Sequence, residues 1–209
     1  MAQFARNPFA AFCDKTVLLL SFLYRDDLVA YAEEDTLRGL KLLTTDKIIP
    51  AIASYHCGPY KLAAILQDPG TIHGSGCNAQ ITGEIGVLNG DPTANLCKEA
   101  LEVNKIKLSE YLPMNAVPWY DAPASRGKAI LREGAHHNRR LILQSGVRTV
   151  LLLGKNAWDS EQFLELPSYI ETRRLPHPGR LGLIHYRENG VRIGSKKARQ
   201  KLISGFALS

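Results

Sequence analysis

The sequence predicts an α/β fold, a single three-layer α/β/α sandwich around a mostly parallel four-stranded sheet. Short apolar runs at 61–66, 111–117, 147–153 and 169–175 read as strands, and segments with helical periodicity separate them. The run at 147–153, VRTVLLL, shows no polar/apolar alternation, as expected for a central parallel strand covered on both faces. Strands alternating with helices favour crossover connections and a parallel sheet. At 209 residues, with no internal repeat or low-complexity linker, the chain is long enough for one domain with a sizeable core.

Taken in order, residues 1–50 look mainly helical. Within them, residues 26–43 place Leu28, Val29, Ala32, Leu37, Leu40 and Leu43 on roughly one helical face. Residues 51–59 suggest a short helix closed by Gly58-Pro59. The first strand, 61–66, runs into Gln67-Asp68-Pro69-Gly70, where proline and glycine force a turn. A polar, glycine-bearing loop follows at 71–83, then a short apolar piece at 84–89. Residues 93–105 form a helix with Asp91 or Thr93 as its cap. After the strand at 111–117, a long helix spans 125–145 and ends at Gly146. Gly154-Lys155-Asn156 turns into a helix reaching Leu166. The last core strand ends at Pro176-His177-Pro178-Gly179. A short edge strand at 191–193 and a basic helix at 195–208 complete the chain.

Composition is that of an ordinary globular protein, 45% hydrophobic and 22% charged. The longest apolar run, 16–23, is too short to span a bilayer, and Asp14 and Lys15 interrupt any leader-like segment, so a cytoplasmic protein without membrane attachment is expected. Charge is unevenly placed. Residues 1–125 hold 10 Lys and Arg against 14 Asp and Glu, whereas residues 126–209 hold 16 against 6. Such a basic segment suits a polyanion-binding face, and equally a solvated surface with no partner. Cys13, Cys57, Cys77 and Cys97 form no closely spaced pair, which argues for free thiols rather than a metal site.

Three strand ends carry polar groups: Asp68 after the first, Asn115 near the end of the second and His177 after the fourth. In a parallel sheet these ends share one edge, where open α/β sheets bind ligands. Each residue also has a plain structural role open to it, in a turn or satisfying local backbone. Asp91, before Pro92, is a second candidate acid.

In their order and spacing, Leu66-Gln67-Asp68-Pro69-Gly70, Met114-Asn115-Ala116-Val117-Pro118-Trp119, Leu152-Leu153-Gly154-Lys155-Asn156-Ala157 and His177-Pro178-Gly179-Arg180-Leu181 resemble the motifs of the uracil-DNA glycosylase superfamily. The resemblance spans about residues 61–183. It implies a monofunctional DNA glycosylase that flips a uracil or modified base out of DNA and hydrolyses its N-glycosidic bond. Asp68 and His177 would be catalytic, and Gln67, Asn115 and Ile85 would contact the base. Gly179, Arg180 and Leu181 would engage DNA, with Leu181 as the wedge, and the basic residues Lys196 and Lys197 are candidate phosphate contacts. No cofactor or metal is implied, and the enzyme is expected to act as a monomer on DNA.

The sequence departs from the family pattern in three places. Leu66 stands where the first motif begins with glycine, and Gly179 replaces the serine after His-Pro. Ile85 falls where many relatives hold the aromatic ring that stacks on the base. A pocket lacking that ring has room for a larger base, unless Tyr60 or Tyr120 supplies one. Uracil repair and excision of a bulky modified pyrimidine from foreign (phage) DNA therefore both fit. A catalytically silent DNA-binding relative and an unrelated α/β hydrolase or nucleotide-binding enzyme remain open, although no Walker-type loop or nucleophile elbow is present.

Overall fold

The computed structural model describes residue 47 and residues 49–69, 83–120 and 127–208. The chain divides into two units, Met1–Lys47 and Ile48–Ser209, and the sheet, its helices and the cavity at its edge all belong to the second. The expected N-terminal helix at 26–43 and most of the loop at 71–83 lie outside the described residues.

The central sheet has four strands: β2 (Leu62–Leu66), β4 (Tyr111–Asn115), β5 (Thr149–Leu153) and β6 (Glu171–Leu175). Their order is β4-β2-β5-β6, and every pairing is parallel. The uniformly apolar runs became the interior strands. Leu62 to Ile65 and Thr149 to Leu153 are all buried. The polar β6 and the proline-containing β4 became the edges, where Pro113 does not interrupt a ladder on both sides.

Side-chain alternation sorts the core into two layers. Ala63, Ile65, Leu112, Met114, Val150 and Leu152 pack towards α2 (Lys128–Ser145) and α3 (Lys155–Leu164). Leu62, Ala64, Tyr111, Leu151, Leu153 and Leu175 pack towards α1 (Pro92–Val103) and α5 (Ser195–Gly205). The winding explains this division. From β2 the chain moves outwards to β4, then returns across β2 to β5 and β6. Right-handed crossovers in opposite directions put α1 on one face and α2 with α3 on the other. The three-layer α/β/α sandwich is therefore as expected.

Local chemistry sets the helix ends. Asp91 caps α1, its Oδ1 accepting from the N–H groups of Thr93 at 2.8 Å and Ala94 at 2.9 Å, with Pro92 in the first turn. Asn104 closes α1 and ties it to α5 by donating to the carbonyls of Ala100 and Ile203. Helix α2 stops where Gly146 adopts φ +72°.

One expectation needs correction. Residues 51–59 contain no helix. Ala51–Ile52 is instead a short strand, β1, paired in parallel with β3 (Glu84–Ile85), followed by turns. The reason is tertiary: two residues take strand geometry because Ile85 and its neighbours offer a ladder from far along the chain. Residues 180–192 include the short strand expected at 191–193 and two elements before it. They form α4 (Arg180–His185) and a hairpin of β7 (Arg187–Glu188) with β8 (Val191–Arg192).

Candidate functional site

At the carboxyl edge of the sheet lies a cavity of about 320 Å³. It is lined by Gln67 and Asp68 from the exit of β2, Ile85 from β3, Asn115 from the end of β4, and His177 from the turn after β6. All five residues expected at the catalytic and base-recognition positions are thus brought together.

Backbone hydrogen bonds fix these groups relative to one another. Leu66 pairs with Asn115 in the ladder, and the pairing continues beyond both strands. The N–H of Ala116 donates to the Leu66 carbonyl at 2.9 Å, and that of Val117 to the Gln67 carbonyl at 3.0 Å. Asp68 and Asn115 therefore leave the sheet on two zipped segments. Asn138, buried on α2, donates its Nδ2 to the Asn115 carbonyl at 2.8 Å. Gly134, one turn earlier, presses against the Ala116 carbonyl so closely that it leaves no space for a Cβ.

His177 is held in a cradle of glycines. A Cβ on Gly154, whose φ is +91°, would stand 2.7 Å from the His177 Cβ, and one on Gly182 would stand 2.6 Å from it. The Gly179 N–H donates to His177 Nδ1 at 3.0 Å. Nδ1 is thus an acceptor, so in the neutral ring the proton resides on Nε2. Burial pulls the imidazole below its ordinary pKa, while the Asp68 and Asp91 carboxylates push the other way. The result at neutral pH is an uncharged histidine offering one N–H donor.

Asp91 also lines the cavity, but its Oδ1 holds two amides of the first turn of α1. That capping role separates it from Asp68, which leaves the central strand β2. The segment carrying Ile85 is fixed from behind. The Ala53 N–H donates to the Ile85 carbonyl at 3.0 Å, and the Leu88 N–H to Tyr55 Oη at 3.0 Å.

Neither Tyr60 nor Tyr120 lines this cavity. Tyr60 lies against the α2/α3 core and donates its hydroxyl to the His56 carbonyl at 2.6 Å. Tyr111 is the tyrosine among the described lining residues, alongside the thiol of Cys97. Burial pushes that thiol up to about 12, so it is neutral and no nucleophile. Cys57 is exposed and free; Cys13 and Cys77 lie outside the described residues.

Gly179 caps α4, and Arg180 and Leu181 follow in its first turn, both exposed; Leu181 is 70% accessible. An apolar side chain that open, four residues beyond His177, costs some apolar hydration unless something covers it. Lys196 and Lys197 are exposed in the first turn of α5, which packs against α4, and have no ion-pair partner among the described residues. Other basic groups are engaged. Lys201 pairs with Glu188 and lies over the Tyr186 ring, Arg199 pairs with Glu99, and Arg139 Nε donates to the Glu165 carbonyl.

Asn138, Tyr111, Cys97 and Gly182 escaped the sequence reading. Asn138 left one signal, a polar amide on an otherwise apolar helix face. No cluster of three metal-ligating side chains occurs among the described residues, and no helix among them is long and apolar enough to cross a membrane. No protein-family model and no curated protein matches the chain.

Proposed function

We propose that the protein is a monofunctional DNA glycosylase acting on uracil or a modified base. The observation that carries this reading is the convergence of Asp68, Asn115 and a neutral His177 on one cavity at the carboxyl edge of the sheet.

Base excision requires the nucleotide to leave the stack, at a cost of a few kcal/mol. Leu181, exposed beside the His177 turn, is the group to fill the gap. Arg180, Lys196 and Lys197 would hold phosphates. The Asn115 amide, with one donor and one acceptor function, reads the edge of the base. As the C1′–N bond breaks, positive charge grows on the sugar and negative charge on the base. The Asp68 carboxylate stabilises the former and orients the water that adds to C1′. His177 Nε2–H stabilises the latter as a neutral hydrogen-bond donor, its ring fixed by Gly179. The departing base ends with the proton that water releases, leaving an abasic sugar.

The absence of an aromatic at Ile85 supports a wider tolerance than plain uracil, including a role against modified foreign DNA. The test is a cleavage screen. Oligonucleotides carrying uracil, hypoxanthine, 5-hydroxymethyluracil and modified cytosines are incubated with the protein, then treated with alkali. Strand scission at the modified position is expected for at least one; scission at none removes the proposal.

A further inference from the structure

Helix α4 leads from the His177 turn into the β7–β8 hairpin, an element the chemistry above leaves unused. The sequence sets the hairpin locally. Asn189-Gly190 form its two-residue loop with φ of +50° and +80°, the two left-handed positions that a type I′ turn requires. That turn puts Arg187 directly opposite Arg192, and Glu188 opposite Val191. Residues directly opposite share a face, with Cβ atoms about 4.5–5.5 Å apart. The hairpin is anchored on the Glu188 side. The Glu188 carboxylate pairs with Lys201 of α5, and Tyr186, just before β7, is buried edge-on to the Trp158 ring at 6.1 Å between centroids. Arg187 and Arg192, on the other face, are both exposed.

Two arginines directly opposite repel, and a ladder of two residues per strand has little to set against that. Neither guanidinium has a carboxylate partner among the described residues. Arg187 donates to the Gly190 carbonyl at 2.8 Å, and Arg192 to His185 Nδ1 at 3.2 Å. An arginine only donates, so Nδ1 is the acceptor. Both contacts aim the side chains without cancelling their charge. The contact with His185 also fixes where the pair stands. Leu181 and His185 lie one turn apart on one face of α4, about 6 Å along its axis. The arginines thus continue the ridge that begins at Leu181, the group given to the gap left by the flipped base. We infer that the β7–β8 hairpin is a DNA-binding element whose Arg187 and Arg192 close on backbone phosphates flanking the flipped nucleotide. This rests on the glycosylase reading for its partner, DNA, and extends the contact beyond the nucleotide that reacts. A DNA strand carries a phosphate about every 3.4 Å of helix axis, so a ridge of this length meets about two or three. A phosphate held between opposed arginines supplies the missing countercharge, and their planar forks suit its oxygens.

Binding is measured by fluorescence anisotropy across a salt series, on a duplex carrying a central tetrahydrofuran abasic site. The proteins are wild type, Arg187→Ala with Arg192→Ala, and Arg187→Lys with Arg192→Lys. The control is Lys98→Ala with Arg174→Ala, whose charges are already paired with Glu102 and Glu161. The alanine pair should flatten the slope of log affinity against log salt by about two units, and weaken binding about tenfold or more at low salt. The lysine pair should keep most of the slope while losing part of the affinity, since it retains charge without the fork. The control slope should stay put. Replacing single phosphates by uncharged methylphosphonates should weaken wild-type binding at about two or three positions beside the abasic site, and the alanine pair should be indifferent there. Its melting temperature should not fall, because the substitution relieves repulsion. An unchanged slope, a methylphosphonate profile shared with wild type, or an equal flattening in the control overturns the inference and leaves the glycosylase reading to its own screen. A melting temperature lowered together with the slope would assign the arginines to the fold and overturn it too. A slope that flattens as expected, while no oligonucleotide of the screen releases a base, upholds the hairpin contact and removes the glycosylase reading alone.

Discussion

Replacing Gly182 by alanine tests whether the placement of His177 is what the surrounding glycines are for. The new Cβ would stand 2.6 Å from both the Cβ and the carbonyl oxygen of His177, and 3.1 Å from its carbonyl carbon. Carbon atoms pack at about 3.5–4.0 Å, so the approach is short by roughly 1 Å. The obstructing atoms are backbone and Cβ, with no flexible end to swing aside. Retreat is blocked on another side by Gly154, which already approaches closely enough that a Cβ there would stand 2.7 Å from the same His177 Cβ. The imidazole must therefore shift or tilt, weakening the Gly179–Nδ1 hydrogen bond.

A displacement of about 1 Å in a positioned group costs on the order of 10² in rate. Stability should respond far less. Gly182 is inside α4, where alanine gains about 0.5–1 kcal/mol of helix propensity against about 1–3 kcal/mol of overpacking strain. The assay is single-turnover base release on the best substrate of the screen, with thermal unfolding and DNA binding measured alongside. Gly127→Ala is the control, because a Cβ there meets nothing within 4 Å. A Gly182→Ala rate within about threefold of wild type would mean that α4 gives way instead, and would refute the argument that glycine packing sets the histidine.

Three further outcomes are expected. Asp68→Asn should slow base release by about 10² or more with DNA affinity nearly unchanged, and a near-wild-type rate would remove Asp68 from the chemistry. Lys196→Ala with Lys197→Ala should reduce the slope of log affinity against log salt by roughly one unit each, whereas Lys201→Ala, already paired with Glu188, should change it little; equal effects would mislocate the DNA face. Burial holds His177 below 6.5, so the neutral ring persists as pH falls through that value, and protonation at lower pH breaks the bond from Gly179 to Nδ1. The acid limb of the rate should thus be centred below pH 6.5; a limb centred at or above 6.5 would contradict a desolvated histidine.

The fold was legible where one physical signal dominated. Continuous apolar strands such as 62–66 and 149–153 can be buried only between two layers, and Gly146 or Asp91 with Pro92 mark helix ends by local stereochemistry alone. Elements that depend on distant partners were not legible. β1 is two residues long and exists through its pairing with β3, and α4 is six residues with a glycine inside, too short for periodicity to reveal. The same division runs through the site. Asp68, Asn115 and His177 follow from the rule that ligands gather at the carboxyl ends of parallel strands. Tyr111, Cys97 and Asn138 read as ordinary core or helix residues, because only the third dimension shows which core positions line a cavity or, like Asn138, brace a residue that does.

The same division would make the base of the proposed reaction harder to read than its chemistry. Asp68, Asn115 and His177 leave strands of one rigid sheet, and their spacing is set by main-chain bonds such as Val117 to Gln67 and Gly154 to Leu175. Backbone geometry of this kind is insensitive to side-chain identity, so it imposes few sequence demands beyond the three polar residues themselves. The rest of the lining comes from elsewhere: Ile85 from a two-stranded ladder backed by Tyr55, and Ala94 and Cys97 from α1. Each can change size or polarity without moving Asp68, Asn115 or His177. A cavity built this way can keep the groups at its strand ends while its walls change, and under the proposed function the identity of the base would reside in walls that a strand-end motif does not encode.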